Sequence, residues 1–552
     1  MQSKKNIKSR KPLFMRHVGL FTSKDCQRRA FRNTIFDFAA RYINCLHKHV
    51  VDDIKNIDRL FTNQKTERTD MRPNYHINMD IPDPDVIFHN GYYYLITTTM
   101  HFFPGGEILR SADLKTWEHY SYVFDKLEST PAQRLEGDSH VYGKGMWAPT
   151  LRFHEGTFYV AFSCNDTHKT YLFGSKDLKG PWTRSEIKGF YHDLSLLFDE
   201  GKSFLVYGNT DIHLTELNND MTGPKEGGID RIIVTDTSKA PLGYEGSHIY
   251  KIDGKYYLFM IHSLPDRWRR VEAMYTADSL EGEFTGGNIY DNDLGILDSG
   301  IAQGGIASGT AGDHLIMFQD SGAIGRLPVI VPFKWENGKP SFEEGNSVEE
   351  CNLVGLCGSD DLKNGYKDFW QFNHEPDHSL IGFDNGLNIT TDKLCVNLFH
   401  AKNTLTQKIQ GPVRSAGVTI DAQKLNDGDF AGLSAFQGDY AFVGITKDNG
   451  RFYAVMISNT SEGGVWELSE GAGVTESKEE LSGSVITVKI ICDFIEDTAT
   501  CFIKKGDGYS RIGSAHKLRF RLDHFTGCRY ALSCFSTVSA GGTAIFRDFV
   551  LS

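Results

Sequence analysis

The 552-residue sequence contains no apolar run near the roughly 20 residues that a membrane-spanning helix needs, so we expect no membrane association. Its ten cysteines are scattered, with no CxxC pair and no regular spacing. This distribution argues against a metal site or a disulfide scaffold and favours reduced, buried thiols. No uninterrupted apolar segment follows the basic start. We therefore expect no cleavable secretory signal and a cytoplasmic protein.

Excess positive charge is confined to the first part of the chain, and the remainder carries more acidic than basic residues. The net charge is −12, yet residues 1–72 contain 17 Lys and Arg against 7 Asp and Glu, which leaves −22 for the remainder. An acidic body repels the phosphates of nucleic acid, so a nucleic acid partner is not expected and a neutral ligand such as a sugar is favoured. Formation of a homo-oligomer is left open.

The chain divides into four regions of different sequence pattern. Residues 1–73 form a basic extension whose apolar residues recur every three or four positions, which predicts a short helical segment without a part in the chemistry. Residues 74–340 show alternating apolar positions and frequent Gly, Asp and Asn, which predicts a β domain. Residues 341–365 lose this periodicity and are predicted to be a linker. Residues 366–552 again predict strands, and their length and turn spacing favour a two-sheet sandwich.

Five similar segments recur within the first β domain. In each one, a glycine precedes a short aromatic and aliphatic run, at successive intervals of 65, 45, 53 and 58 residues. The glycines are Gly91, Gly156, Gly201, Gly254 and Gly312. Irregular spacing with a constant local pattern is typical of blades around one axis, because insertions fall in loops while strand geometry is kept. The repeat therefore predicts a β-propeller.

Eight or nine residues before each of these glycines stands a side chain suited to sugar chemistry. These residues are Asp83, Trp147, Asp193, Glu245 and Gln303. In a propeller, a constant phase would bring them to one central opening. Carboxyl groups on different blades can straddle a sugar with room for a water molecule, as direct displacement at an anomeric carbon requires. The pattern therefore predicts a carbohydrate-cleaving enzyme.

A series of short blocks occurs in a fixed order from about residue 74 to the end. The blocks include Ile81–Ile87, Gly91–Gly105, Leu109–Leu114, Met146–Thr150, His192–Leu196, Glu245–Tyr250, Gln303–Gly305, Gln319–Pro328, Trp370–His374, Asn403–Gln407 and Phe436–Tyr440. In this order they resemble glycoside hydrolase family 43, in its β-xylosidase and α-L-arabinofuranosidase branch. The resemblance implies an all-β chain in which a five-bladed β-propeller is followed by a concanavalin-like β-sandwich.

The resemblance also implies three catalytic roles. Asp83 matches the general base, Glu245 matches the general acid, and Asp193 matches an auxiliary acid that holds and tunes the proton donor. A general acid must stay protonated near neutral pH, which a neighbouring negative charge such as that of Asp193 would favour. Taken alone, an Asp before Pro such as Asp83 is also typical of a turn.

Five further positions are matched to substrate binding. Arg326 matches a substrate-contacting arginine, Trp147 and Met100 match pocket-lining positions, and Phe525 matches a loop that the sandwich contributes to the pocket. Gln303 stands where some relatives carry a histidine tied to a central calcium. The resemblance therefore implies no required cofactor, and this departure argues against calcium.

Several of these residues have a structural alternative. Arg326 could form a buried ion pair, and core packing is a comparable role for Met100 and Phe525. His192, beside one of the acids, is interpreted as a structural hydrogen-bonding residue rather than as a metal ligand.

The predicted function is that of an inverting exo-glycosidase that hydrolyses terminal β-1,4-linked D-xylose from xylo-oligosaccharides and also accepts α-L-arabinofuranose. One alternative is an enzyme whose main activity is that of an α-L-arabinofuranosidase. Another is a non-catalytic carbohydrate-binding propeller, which the retention of three carboxyl groups disfavours. A fructan-cleaving propeller would carry an Arg-Asp-Pro block in mid-domain, and the sequence has none.

Overall fold

A computed structural model describes residues 74–342, 347–462 and 467–552. These residues form 39 β-strands and three single-turn 3-10 helices, Gly322–Ile324, His378–Leu380 and Leu398–His400, which confirms the predicted all-β fold. The predicted helical extension lies outside the described residues. Within them, no helix is long and apolar enough to cross a membrane. The eight cysteines of the described part carry free thiols, and seven of these residues are buried.

The first domain is a five-bladed propeller. Its strands are β1 (Asn74–His76), β2 (Asp85–His89), β3 (Tyr92–Ile96), β4 (Phe102–Phe103), β5 (Gly105–Ser111), β6 (Thr116–Phe124), β7 (Thr150–His154), β8 (Thr157–Cys164), β9 (Lys169–Ser175), β10 (Thr183–Ile187), β11 (Ser195–Asp199), β12 (Lys202–Asn209), β13 (Asp211–Glu216), β14 (Asp230–Thr235), β15 (Glu245–Ile252), β16 (Lys255–Ser263), β17 (Arg270–Ala277), β18 (Thr285–Tyr290), β19 (Ile301–Gly309), β20 (Gly312–Asp320), β21 (Arg326–Glu336), β22 (Lys339–Phe342), β23 (Val348–Glu350) and β24 (Asn352–Val354). Blades one to five begin at β2, β7, β11, β15 and β19. Each of these first strands packs beside those of its two neighbours, so the five close a ring around the central axis.

Strands from both ends of the domain complete its first and last blades. β1 pairs antiparallel with β21, so the start of the described chain supplies an outer strand of blade five. β23 then pairs in parallel with β1, and β24 pairs in parallel with β6 of blade one. The segment 341–365, expected as a linker, therefore contains two short strands that extend propeller blades before the chain enters the second domain.

Tight turns account for four of the five repeated glycines. The turn after the first strand of blades one to four consists of a residue with φ between 46° and 49° and a glycine with φ between 72° and 84°. The four pairs are Asn90–Gly91, Glu155–Gly156, Glu200–Gly201 and Asp253–Gly254. Positive φ at both positions defines the type I′ hairpin turn, which glycine adopts without a steric penalty. These turns lie at the end of the propeller opposite to the starts of the first strands.

Polar groups on the first strands connect the blades along the axis. The buried Asp85 carboxylate of blade one accepts a hydrogen bond from the Arg152 guanidinium at 2.6 Å and lies 3.2 Å from Nδ1 of His248. Arg152 also donates to Oγ of Ser195 in blade three at 2.8 Å. Burial alone would raise the pKa of Asp85, but Arg152 and His248 outweigh it and hold that pKa well below its usual range. The network therefore joins the first strands of four blades.

The second domain is a sandwich of two antiparallel sheets, as predicted. Its strands are β25 (Gln371–Asn373), β26 (Ile381–Gly382), β27 (Leu387–Thr390), β28 (Leu405–Lys408), β29 (Val413–Lys424), β30 (Asp429–Phe436), β31 (Tyr440–Asp448), β32 (Arg451–Asn459), β33 (Val474–Glu480), β34 (Val485–Asp493), β35 (Thr498–Lys505), β36 (Gly508–Arg511), β37 (His516–Lys517), β38 (Arg529–Ser536) and β39 (Thr543–Leu551). One sheet has the order β33-β32-β31-β30-β38-β28-β25-β4, and the other has the order β26-β27-β39-β29-β34-β35-β36. Apolar side chains of both sheets, such as Val418, Leu433 and Phe546, form the core between them.

The two domains share a strand and a buried ion pair. β4 belongs to the propeller chain but pairs with β25 at the edge of a sandwich sheet. Nearby, Nζ of Lys408 lies 2.5 Å from Oε2 of Glu107, and both side chains are at most 4% exposed. Burial alone would raise the pKa of Glu107, but the Lys408 ammonium and the His119 side chain together outweigh it and hold that pKa well below its usual range. Both features hold the sandwich beside blade one.

Replacing Lys408 by Ala is expected to destabilise the protein strongly. The substitution leaves the Glu107 carboxylate buried without its ammonium partner, and removing one partner of a buried pair costs about 3–5 kcal/mol. We expect the melting temperature in calorimetry to fall by roughly 3–5 °C. The control is Lys505→Ala, which removes an exposed pair with Glu479 and should cost under about 0.5 kcal/mol. Equal falls for the two variants would contradict this account of the interface.

Candidate active site

The five residues at matching positions of the repeats lie around one end of the propeller axis. Asp83, Trp147 and Asp193 precede β2, β7 and β11, whereas Glu245 begins β15 and Gln303 lies near the start of β19. Because the first strands close a ring, their starting ends surround a common opening. Asp83, Asp193 and Gln303 have φ values of 51°, 48° and 57°. Such left-handed conformations are uncommon in residues with a side chain and cluster at functional sites.

Asp83 is held by two hydrogen-bond donors. Its Oδ1 accepts from Nη1 of Arg326 at 2.7 Å, and its Oδ2 accepts from Oγ1 of Thr98 at 2.7 Å. Asp83 is 7% exposed and Arg326 is 3% exposed. A guanidinium and a hydroxyl that donate to a carboxylate both stabilise its charged form. The ionised form is the one that a general base requires.

Arg326 is positioned from both domains. Its backbone N–H donates to Oδ1 of Asp80 at 2.8 Å, and Oδ2 of Asp80 accepts from the backbone N–H of Gly527 in the sandwich at 2.8 Å. The Arg326 guanidinium carbon lies 4.6 Å from the ring centroid of Phe525, and Nη2 donates to the Phe525 carbonyl at 3.4 Å. The sandwich loop around Phe525 therefore lies directly against the arginine that binds Asp83.

His192, Asp193 and Glu245 form a second group. Nε2 of His192 lies 3.1 Å from Oε2 of Glu245 and 3.7 Å from Oδ2 of Asp193. Nδ2 of Asn209 donates to the same Oε2 of Glu245 at 2.5 Å. In this group, one nitrogen or oxygen of each of His192, Asp193 and Glu245 lies within 4.8 Å of those of the other two. Such spacing would suit a metal ion only if the histidine were neutral.

Proton affinity is raised in this group. Burial, together with the charges of Glu245 and Asp83, raises the pKa of Asp193 to about 7, although His192 opposes the shift. Burial alone would lower the pKa of His192, but Asp193 and Glu245 outweigh it and raise that pKa to about 9. His192 is therefore an imidazolium at neutral pH, which favours hydrogen-bond donation over metal binding, and we assign the group to proton transfer. Asp193 therefore holds a proton below about pH 7, within 4.8 Å of a carboxyl oxygen of Glu245.

Trp147 and Met100 border the two groups. The Trp147 ring centroid lies 5.7 Å from that of His192 and 6.1 Å from that of Phe525, with both rings inclined steeply to it. Met100 is buried, with φ of 52°, and its backbone exchanges hydrogen bonds of 3.1 and 2.9 Å with Met146. Trp147 therefore connects the His192 group with the sandwich loop, while Met100 supports the segment that carries Trp147.

Gln303 packs behind the strand of Glu245. A Cβ atom on Gly246 would come within 2.6 Å of Cγ of Gln303, so the glycine permits this close approach. The backbone N–H of Gln303 donates to Oε2 of Glu272 at 2.8 Å. Glu272 is fully buried, and burial raises its pKa well above the usual range. Gln303 thus lies beside the site and is supported by the buried carboxyl group of Glu272.

The sequence interpretation missed three residues that contact the predicted ones. Thr98 binds Asp83, Asn209 binds Glu245, and Asp80 bridges Arg326 to the sandwich. Thr98 and Asn209 stand seven and eight positions after the repeated glycines of their blades. A polar residue at or just beyond the end of these two second strands is therefore the signal that could have identified them. Asp80 lies before the first repeat and has no such signal.

Comparison with known proteins shows which protein family the two domains match. Residues 73–340 match the family described as Glycosyl hydrolases family 43, and residues 360–552 match the Beta xylosidase C-terminal Concanavalin A-like domain. A beta-xylosidase of Formosa agariphila is 24% identical over 447 residues, which are 67% of this chain and 74% of that protein. A non-reducing end alpha-L-arabinofuranosidase of Bacteroides ovatus is 31% identical over 182 residues, which are 32% of this chain and 33% of that protein.

A solved structure extends the comparison to the whole described fold. A bifunctional GH43-CE protein of Bacteroides eggerthii superposes with a TM-score of 0.79 at 34% identity. The alignment covers 87% of this chain and 64% of the solved one, so the present chain spans just under two thirds of that protein. Both domains therefore have counterparts in known proteins.

Proposed function

Because this chain belongs to glycosyl hydrolases family 43, we propose that it is an inverting exo-glycosidase that hydrolyses terminal β-1,4-linked D-xylose from xylo-oligosaccharides. It is a glycoside hydrolase of oligosaccharides, and the sugar, the mode of attack and the stereochemistry are the proposed parts. One observation carries the proposal: a carboxylate held by two donors, Asp83, and two carboxyl groups within 4.8 Å of each other, Asp193 and Glu245, stand on different blades around one opening.

In the proposed reaction, the carboxylate of Asp83 removes a proton from a water molecule. The water oxygen bonds to the anomeric carbon as the glycosidic C–O bond breaks, and Glu245 gives its proton to the departing oxygen. The water attacks the face opposite to the leaving group, so the configuration inverts. Arg326 and Thr98 hold the base in place through their hydrogen bonds to its two oxygens.

Charge balance supports one retained proton in the site. Asp83 and Arg326 compensate each other, and the His192 imidazolium compensates one negative charge on Asp193 and Glu245. If both carboxyl groups of the pair were ionised, one negative charge would remain uncompensated in a largely buried site, which is unfavourable. A retained proton is therefore favoured in this group, in line with the pKa of about 7 for Asp193, and Glu245, 18% exposed, is the member that can deliver a proton to substrate.

Exo-action and the choice of sugar are inferred from the side chains that surround the proposed base and acid, Asp83 and Glu245. The sandwich loop brings Phe525 against Arg326 and Trp147, which narrows the opening on one side. A narrowed opening favours the end of a chain over its middle. β-D-Xylose and α-L-arabinofuranose present similar hydroxyl groups around the scissile bond, and the matched relatives include one enzyme named for each sugar. Activity on both sugars is therefore part of the proposal.

Hydrolysis of aryl glycosides by the purified protein tests the proposal. We expect aryl β-D-xyloside to give the highest kcat/KM, with aryl α-L-arabinofuranoside also hydrolysed. A higher kcat/KM on the arabinofuranoside would make that the main activity. Cleavage of neither one, together with cleavage of another aryl glycoside, would reject the proposed sugar. Protein carrying Glu245→Gln, prepared in parallel, is the control that detects contaminating glycosidases.

A further inference from the structure

Two hydrogen-bond donors next to the proposed acid have no role in the reaction as written. Nε2 of His192 and Nδ2 of Asn209 lie 3.1 Å and 2.5 Å from the carboxyl group of Glu245. In the described part of the chain, both of these contacts are to the same oxygen, Oε2. The two donors come from neighbouring segments of blade three, and Glu245 belongs to blade four.

The two contacts make the carboxyl oxygens of Glu245 unequal. An oxygen that accepts two hydrogen bonds has its lone pairs engaged and its negative charge stabilised, so it is the poorer position for a proton. The other oxygen, Oε1, then carries the proton whenever Glu245 is in its acid form. In addition, two donors on one oxygen oppose rotation of the carboxyl group about its terminal torsion, which is otherwise soft.

His192 is itself held in place, so that it can orient Glu245. Its ring lies against that of Trp147, with centroids 5.7 Å apart and an interplanar angle of 68°. It immediately precedes Asp193, whose φ of 48° fixes the course of the backbone between the two groups. The Nε2 atom also lies 3.7 Å from the Asp193 carboxylate, which favours the protonated, donating form of the ring.

We infer that His192 and Asn209 are positioning residues that hold Oε2 of Glu245 and thereby place the transferable proton on Oε1. The inference rests on the proposed role of Glu245 as the general acid. In the reacting state, the Oε1–H bond breaks, its proton passes to the glycosidic oxygen, and that oxygen receives the electron pair of the broken C–O bond. The negative charge left on Glu245 is then stabilised at Oε2 by the two donors already in place.

The inference predicts a defect that depends on the leaving group. Without the two donors, the carboxyl group presents its proton in the right direction for only part of the time. A poor leaving group needs that proton in the transition state, whereas a good one departs without it. Both donors contact Oε2 and not Oε1, so we expect KM to change little while kcat falls for the poor leaving group alone.

The test compares Asn209→Ala, His192→Ala and the double variant on two β-xylosides, phenyl and 2,4-dinitrophenyl. If the donors position the acid, kcat on the phenyl glycoside falls roughly 10- to 100-fold in the double variant, part of the about 10²–10⁴ that acid catalysis supplies. On the dinitrophenyl glycoside kcat changes by less than about 3-fold. His192→Gln, which keeps a donor of similar reach, should recover most of the phenyl glycoside rate. Asn218→Ala, at a partly exposed position of blade three outside the site, is the matched control.

Three outcomes would overturn the inference. Equal losses on both glycosides would indicate a purely structural role, and unchanged rates on both would show that the two donors do not position the acid. Failure of His192→Gln to recover any rate would also count against it, because the loss in His192→Ala would then not come from the missing hydrogen bond. Failure of the proposed function is distinguished by Glu245→Gln. If Glu245 is not the general acid, the loss in this variant will not depend on the leaving group either. Asn209 is exposed, so we expect Asn209→Ala to fold. This variant therefore tests the inference even if the His192 variants do not fold.

Discussion

Replacing Asp83 by Asn is expected to lower kcat by about 10²–10⁴-fold. The amide has the shape of the carboxylate but cannot accept a proton from the attacking water. Asn adopts positive φ readily, so the backbone at φ 51° is not disturbed. The loss therefore reports the missing base, and it is measured as steady-state kcat on an aryl β-xyloside. Azide needs no deprotonation, so adding it should restore part of the turnover.

A matched control exists for this substitution. Asp253 has φ of 49°, nearly that of Asp83, but it lies in an exposed hairpin turn at the opposite end of the propeller axis. Asp253→Asn makes the same chemical change in the same backbone conformation, and we expect kcat within error of the unmodified enzyme. A folded Asp83→Asn protein with turnover within about tenfold of normal would be incompatible with the proposed base.

Replacing Glu245 by Gln is expected to remove acid catalysis and its pH dependence together. For a poor leaving group, kcat should fall by about 10²–10⁴-fold, with a smaller loss for 2,4-dinitrophenyl β-xyloside. In the unmodified enzyme, activity should decline as the pH rises through about 7, because Asp193, whose pKa lies at about 7, then loses the proton that it holds beside the acid. The sign follows from the role: an acid works only while protonated. In the Gln variant this alkaline decline should be absent.

The control for the acid is Glu200→Gln. The Glu200 side chain is 83% exposed in the turn after the first strand of blade three, far from the opening. Its replacement should leave both kcat and the pH profile unchanged. If Glu245→Gln kept the alkaline decline of the unmodified enzyme, the titrating group would lie elsewhere and the assignment of the acid would fail.

The propeller could be predicted because its signal is local. A type I′ turn needs glycine at a fixed place, and the strands on either side need alternating apolar residues, so each blade leaves a short readable pattern around a residue such as Gly91 or Gly201. The pairing of β1 with β21 joins residues that are far apart in sequence, as does the pairing of β4 with β25. Short strands such as Val348–Glu350 are too brief to show any periodicity. The sequence therefore predicts only a linker for the segment 341–365.

In the candidate site too, the residues that follow a local pattern could be predicted, whereas the contacts between distant residues could not. Asp83, Asp193 and Glu245 could be predicted together because they hold one phase relative to the repeats. Their partners depend on contacts across blades or domains, so the bridge from Asp80 to the sandwich had no counterpart in the sequence pattern. His192 was interpreted as a structural hydrogen-bonding residue. The structure places its ring nitrogen on the carboxyl group of Glu245, which no spacing along the chain could specify.

The most direct test of the two-carboxyl account is the configuration of the first product. Proton NMR distinguishes the anomers of free xylose if spectra are recorded before mutarotation mixes them. Water activated by Asp83 attacks opposite to the oxygen protonated by Glu245, so a β-xyloside should release α-xylose first, with the β anomer growing in later. Initial release of β-xylose would mean that a covalent intermediate forms, and it would contradict the roles of both residues.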